Sequence, residues 1–294
     1  MKTVCISSAG PYDFDLSMRI RRSFTPDHSQ VSSNLHCAVR VKDKLTVLEF
    51  QQIQRNPTIL EIRAIPSNRL SIIEQIGRWI TFADLNLLPF YQLTASHSVL
   101  GPIAQKLYGL KPMRPASLFE MLVIAITEQQ ISLIAAYHIR TRIIERFGDS
   151  VNGLWAFPDP IRLSEISVAD LMKCGLSQRK ASYVKVLAYN VAHGLLDLEQ
   201  LETMSDEGVR SILLQQKGLG PWSADYFLVR GLNRPDIVPA NDLGIRDVVG
   251  RYLGRGKRLS PKGTMRKLSP FKPYRGLAAF YLLAHDRLTK SLAG

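Results

Sequence analysis

Apolar and polar positions alternate along three stretches near the N-terminus, then give way to a helical rhythm. Residues 37–41 (CAVRV), 45–50 (LTVLEF) and 58–65 (TILEIRAI) alternate and are rich in β-branched residues, which predicts strands. Turns are expected at Asn56-Pro57 and Pro66-Ser67-Asn68. Over Ser71–Ile80 (SIIEQIGRWI) the apolar residues recur at helical spacing, and Ser71 stands where it can cap that helix. Beyond about residue 95 the period is close to 3.6 and strand signals fade. Helices are predicted over 97–108, 117–127, 132–147, 168–173, 178–193, 205–215, 221–232, 243–253 and 273–290, joined by short segments carrying Gly, Pro, Ser or Asp. The expected fold class is α+β: a small antiparallel sheet with a helix over residues 1–95, then an all-α bundle of about nine helices over 96–294.

Composition narrows the function classes. Of 294 residues, 46% are apolar and 21% charged, too apolar for a chain whose main state is disorder. Lys and Arg total 38 against 25 Asp and Glu, a formal charge of +13 that points to a polyanionic partner, nucleic acid before an anionic membrane. The charge is uneven: residues 248–285 hold nine cations between Arg251 and Arg275 and no carboxylate. Such a run reads either as a solvated basic face or as a phosphate contact. The cysteines, Cys5, Cys37 and Cys174, are scattered and fit a reducing compartment. Without a Cys-x-x-Cys pair, a zinc ribbon and a four-cysteine iron–sulfur cluster are excluded. No apolar run approaches the ~20 residues of a membrane span, and Val4-Cys5-Ile6 is too short for a signal-peptide core. A soluble intracellular protein is expected.

The most informative stretch is Leu213–Phe227, LLQQKGLGPWSADYF. One helix runs into Gln215-Gln216-Lys217, Gly218-Leu219-Gly220 turn the chain, and a new helix opens at Pro221. Gly218 suits a left-handed C′ position and Pro221 the N1 position. The two glycines let the backbone approach a ligand, and the free N–H groups and positive end of the second helix suit a phosphate. Leu219 would pin the turn to the core. An ordinary tight helix–turn–helix corner is the alternative. Twenty-two residues past Gly220 lies Asp242, just before a predicted helix, where it is a good N-cap; Asn241 and Asp236 are its rivals for a chemical role. Trp222 and Tyr226, four apart, share one helix face.

The segment KGLGPWSADYFLVRG resembles the hairpin of the helix-hairpin-helix DNA glycosylase superfamily, and Asp242 in PANDLGI matches the position of its essential aspartate. FEMLVIAITEQQIS (119–132), LMKCGLSQRKA (171–181) and FKPYRGLAAFYLL (271–283) resemble segments of the 3-methyladenine DNA glycosylase II group. The resemblance implies a helix-hairpin-helix glycosylase bundle that excises alkylated purines from damaged double-stranded DNA. The target base is flipped out, and the aspartate stabilises the positive charge that builds on the sugar as the N-glycosidic bond breaks. Trp222 stands where lyase-active members carry a lysine, which implies a monofunctional hydrolase. The resemblance further implies a base pocket at Trp222 and Tyr226, a wedge at Gln130, and DNA contacts at Lys217, Gly218, Gly220 and Ser223. It requires no cofactor, but implies a monovalent or divalent cation held by loop carbonyls near Gln215, Lys217 and Gly220. A monomer is expected, DNA-associated, cytoplasmic or, in a eukaryote, nuclear, without a membrane. An oxidised-purine glycosylase of the 8-oxoguanine type and a non-catalytic DNA-binding hairpin module are the alternatives. The sequence departs from the group at Leu243 and Leu283, where aromatic residues can stand.

Overall fold

A computed structural model describes residues 2–24, 34–41, 44–66 and 69–291. The N-terminal sheet is antiparallel and four-stranded, in the order β1 (Lys2–Ser7), β4 (Thr58–Ile65), β3 (Lys44–Arg55), β2 (Leu35–Val41). Alternation sets its register. Ile62 pairs with Phe50 and Val4, and Leu60, Ile62, Ala64, Leu48 and Phe50 are buried on one face. Helix α1 (Phe14–Phe24) follows β1, and α2 (Leu70–Thr81) packs on the sheet at Gly77, where a Cβ would lie 2.1 Å from the Ile62 side chain. Neither β1 nor α1 is predicted by the patterning. The N-cap of α2 is Arg69 without a side-chain bond, so Ser71 lies inside the first turn and does not cap it. Ser67 and Asn68 of the expected turn lie outside the described residues.

Helices then dominate: α3 (Leu88–Thr94), α4 (Leu100–Lys106), α5 (Leu118–Glu128) and α6 (Leu133–Phe147). A hairpin of β5 (Asp149–Val151) and β6 (Leu154–Ala156) follows, turning on Asn152-Gly153, both with positive φ. Next come α7 (Pro160–Glu165), α8 (Val168–Lys173), α9 (Gln178–Ala192), α10 (Leu198–Thr203), α11 (Asp206–Leu214) and α12 (Pro221–Arg230). Last are α13 (Leu243–Leu253), α14 (Pro261–Leu268), a 3-10 turn at Ser269–Phe271 and α15 (Arg275–Ser291). Where nine helices are predicted beyond residue 95, the described residues form twelve α-helices there. The three that the patterning misses, α7, α10 and α14, span six to eight residues, where a 3.6 period has at most about two turns to show; α8, just as short, is predicted. None of the described helices is long and apolar enough to cross a membrane.

Three cores form. Ile6, Phe14, Phe50, Ile62 and Ile80 pack between the sheet, α1 and α2. Leu122, Ile126, Val184, Val209 and Phe227 join α5, α9, α11 and α12. Ile20, Phe90, Val249 and Tyr281 join α1, α3, α13 and α15. Helix α1 serves two of them: Phe14 and Met18 face the sheet, Leu16 and Ile20 the helices. Tyr281, fully buried, donates its hydroxyl to Leu110 O at 2.8 Å.

The acid-free stretch 248–285 is partly neutralised by carboxylates from outside it. Arg251 pairs with Asp286, Arg258 with Asp247 and Arg275 with Asp236. The last pair anchors the loop that leads to Asp242. Arg275 grips Asp236 through Nε (2.8 Å) and Nη2 (2.5 Å), and Leu277 N donates to Pro235 O at 2.9 Å. Between them Gly276 has no room for a side chain: a Cβ would lie 2.1 Å from Ile237 O and 2.9 Å from Pro235 O. Gly276→Ala is therefore expected to destabilise the fold by about 2–3 kcal/mol and to lower the midpoint of thermal unfolding by roughly 5–10 °C.

Candidate active site

Three helix ends converge on one open cleft of about 1650 Å³: the C-terminus of α5 and the N-termini of α12 and α13. Helix α5 is apolar through Leu122, Val123, Ala125 and Ile126, all fully buried, so its polar residues stand near its two ends, Glu120 in the first turn and Thr127 and Glu128 in the last. Lys180 Nζ donates to the carbonyls of Thr127 (2.9 Å) and Gln129 (2.5 Å), satisfying two acceptors at that end. Gln129 Nε2 donates to Gly218 O (2.8 Å) and Ser223 Oγ (3.0 Å), which ties the α5–α6 loop to the hairpin. The next residue, Gln130, is exposed and left-handed at φ +56°, a conformation that costs a non-glycine residue of order 1–3 kcal/mol.

The hairpin turns as the glycines require, though not where a C′ residue would sit. Gly218 has φ +89° but lies four residues past Leu214, the last residue of α11, and a Cβ there would lie 2.3 Å from the Tyr183 ring. Leu219 is buried and pins the turn; Lys217 is exposed. Gly220, extended at φ −111°, is the N-cap of α12, Pro221 opens the helix, and a Cβ on Gly220 would touch nothing within 4 Å. Every other helix from α5 to α14 has a Ser or Asp side chain capping its N-terminus; that of α12 is left open. Ser223, expected at the DNA surface, is corrected: it is buried and its hydroxyl accepts from Gln129, so only its backbone N–H faces the open helix end.

Asp242 lines the cleft half-buried and is bonded through both carboxylate oxygens. Oδ1 accepts from Ile245 N at 2.9 Å, as the N-cap of α13, and Oδ2 accepts from Trp222 Nε1 at 2.9 Å. Trp222 stacks on Tyr226, ring centroids 4.9 Å apart and 18° from parallel. The Tyr226 hydroxyl donates to Glu128 Oε2 at 2.9 Å, and Glu128 Oε1 accepts from Arg140 Nη1 at 2.9 Å. Burial first, and the Glu128 charge second, push the Tyr226 hydroxyl well above its ordinary range, so it stays a donor. The Glu128–Arg140 pair is itself almost wholly buried, at 8% and 9% side-chain exposure.

The structure thus brings Asp242, Trp222, Tyr226 and Gln130 to one cleft, with Leu243 and Leu283 on its wall. The rival Asp236 is committed to Arg275, while Asn241 is exposed at the rim. Sequence reasoning missed Glu128 and Arg140. A signal was there: a carboxylate at the C-terminus of an apolar helix opposes the helix dipole and implies a cationic partner. For the implied cation, the oxygens are suitable. Gly220 O accepts from Ala224 N and Gln216 O from Leu219 N, while among the described residues the carbonyls of Gln215 and Lys217 receive no backbone donor. Hard carbonyl oxygens suit an alkali or alkaline-earth ion.

Residues 123–273 match the model of the HhH-GPD superfamily base excision DNA repair protein. The chain belongs to this superfamily. Among HhH-GPD relatives, the DNA-3-methyladenine glycosylase of Bacillus subtilis is 32% identical over 219 residues, 73% of this chain and 72% of that protein. The 3-methyladenine DNA glycosylase of Archaeoglobus fulgidus shares the fold at a TM-score of 0.85 and 24% identity, covering 97% of this chain and 98% of the other. The 3-methyladenine DNA glycosylase of Schizosaccharomyces pombe in complex with abasic DNA has a TM-score of 0.59 at 29% identity, covering 66% and 95%.

The buried pair makes a direct prediction. Glu128→Ala strands the Arg140 guanidinium in the interior and is expected to cost about 3–5 kcal/mol in denaturant unfolding. Glu128→Gln, which can still accept from Tyr226, is expected to cost clearly less.

Proposed function

We propose that this chain is a base-excision-repair DNA glycosylase that flips an alkylated purine such as 3-methyladenine out of a duplex and hydrolyses its N-glycosidic bond, leaving an abasic site. The observation that carries this reading is the Asp242 carboxylate, fixed by two N–H donors at the cleft beside the stacked Trp222 and Tyr226. Breaking the bond leaves positive charge on the sugar, and a fixed anion at that point lowers the barrier without having to reorganise. The same carboxylate orients the attacking water and takes its proton. A purine nucleotide alkylated at a ring nitrogen such as N3 is cationic, and the electron-rich stack next to Asp242 suits it through cation–π contact. The substrate assignment is supported by the relatives' names, that of the Bacillus subtilis protein first.

Around the reacting carbon the other groups have separate tasks. The uncapped N–H groups of α12 and the Gly220 backbone hold a phosphate, with Lys217 beside them. Gln130 fills the space that the flipped base leaves. Carbonyls of Gln215, Lys217 and Gly220 would hold a cation, whose charge would support the turn. Cleavage stops at the abasic site because position 222 is Trp, and the two lysines that line the cleft are engaged elsewhere: Lys180 Nζ on the carbonyls of Thr127 and Gln129, Lys111 Nζ on Ser8 Oγ and Ala83 O.

Asp242→Asn separates chemistry from folding. Asparagine caps a helix as well as aspartate, so the change in stability is expected to stay under about 1 kcal/mol. Release of 3-methyladenine from methylated duplex DNA is expected to fall at least about 100-fold, with DNA binding retained. Base release at the wild-type rate would overturn the assignment, and preferential release of 8-oxoguanine by the wild type would move it to the oxidised-purine class.

A further inference from the structure

Six cations of the acid-free stretch carry an inference beyond the hairpin; it rests on the reading of the chain as a DNA glycosylase. Arg255, Lys257, Lys262, Arg266, Lys267 and Lys272 are exposed and enter no ion pair among the described residues. Their placement follows from how the chain leaves α13. After Leu253 it doubles back along the same helix, passing so close to Gly250 that a Cβ there would lie 2.0 Å from Lys257 O. Arg258 grips Asp247 through Nε (2.6 Å) and Nη2 (2.8 Å). Leu259 then meets Arg246: Arg246 Nε donates to Leu259 O at 2.7 Å, and Leu259 N donates to Arg246 O at 3.4 Å. Arg246 N in turn donates to Asp242 O at 3.0 Å. The corner has returned to the first turn of α13, whose Leu243 and Gly244 line the cleft.

Helix α14 begins at that point, capped by Ser260. Its Gly263, Thr264 and Leu268 are buried, so Lys262 and Arg266, one turn apart, share the outer face with Lys267 beside them. A solvated helix face ordinarily mixes both signs of charge. Here three cations stand in eight residues without an acid, a self-repelling arrangement that a polyanion relieves.

We propose that the α13–α14 corner and the outer face of α14 form a second phosphate-binding surface, separate from the hairpin, that holds the DNA backbone flanking the lesion. The hairpin fixes one strand through backbone N–H groups at short range. The corner acts through long cationic side chains, without regard to sequence, and governs affinity and salt dependence rather than bond breaking.

The test is binding of the full chain to a long undamaged duplex across a range of salt, followed by fluorescence anisotropy. Lys257→Ala, Lys262→Ala and Arg266→Ala together are expected to lower the slope of log affinity against log salt by about 2–3, at roughly 0.9 per contact. Base release at saturating DNA should stay at the wild-type kcat while KM rises. Lys2→Ala, Lys44→Ala and Arg55→Ala remove the same charge from the N-terminal sheet and should leave the slope unchanged. The single reversal Lys262→Glu, which keeps helix propensity, should weaken binding on its own. An unchanged slope in the first variant, or an equal fall in both triple variants, overturns the proposal. A wild type that binds with the expected salt dependence but releases no base sinks the glycosylase reading and leaves this surface standing.

Discussion

The geometry of the cleft turns on one carboxylate that is bonded twice. Asp242 closes the first turn of α13 with one oxygen and receives the indole N–H of Trp222 with the other. Each bond alone is ordinary. Together they join the starts of two helices through a single side chain, so its position relative to the aromatic stack is set by a backbone N–H on one side and by the stacked indole itself on the other. A carboxylate so held has lost its rotamer freedom in folding, and any charge developing beside it meets a field already in place.

The constraint extends outward. Tyr226 continues the stack from Trp222 and hands its hydroxyl to Glu128, whose other oxygen is held by Arg140. Gln129, one residue further on, fastens the same loop to the hairpin backbone and to Ser223. The ends of α5, α12 and α13 are therefore bonded to one another in sequence, and polar groups at half-buried positions are paired instead of stranded. Low exposure makes these bonds costly to break, which gives an open cleft a stiff wall.

Much of this was legible in the chain. The glycines, Pro221, Asp242 and the Trp222–Tyr226 spacing are local signals, each with a backbone or helical-periodicity reason, and they fall together in space. The sheet and the long helices follow from alternation and period. What escaped detection depends on tertiary contact or on brevity. The pairing of Glu128 with Arg140 crosses from α5 to α6. Ser223 reads as polar but is buried by packing. Three cations of the acid-free run find partners, Asp236, Asp247 and Asp286, that lie outside it. Helices α7, α10 and α14, of about two turns or fewer, and the two-residue turn at Asn152-Gly153 offer few positions for a period to stand out.

The left-handed backbone of Gln130 is held from both sides. On one side Gln129 is fastened to the hairpin, and on the other Ser132 caps α6 by accepting from Ala135 N at 3.2 Å. A residue pinned between two anchors keeps its awkward conformation because neither neighbour can turn to relieve it. With both neighbours bonded, the strain of that conformation is met once, in folding, and is not added at each encounter with a partner.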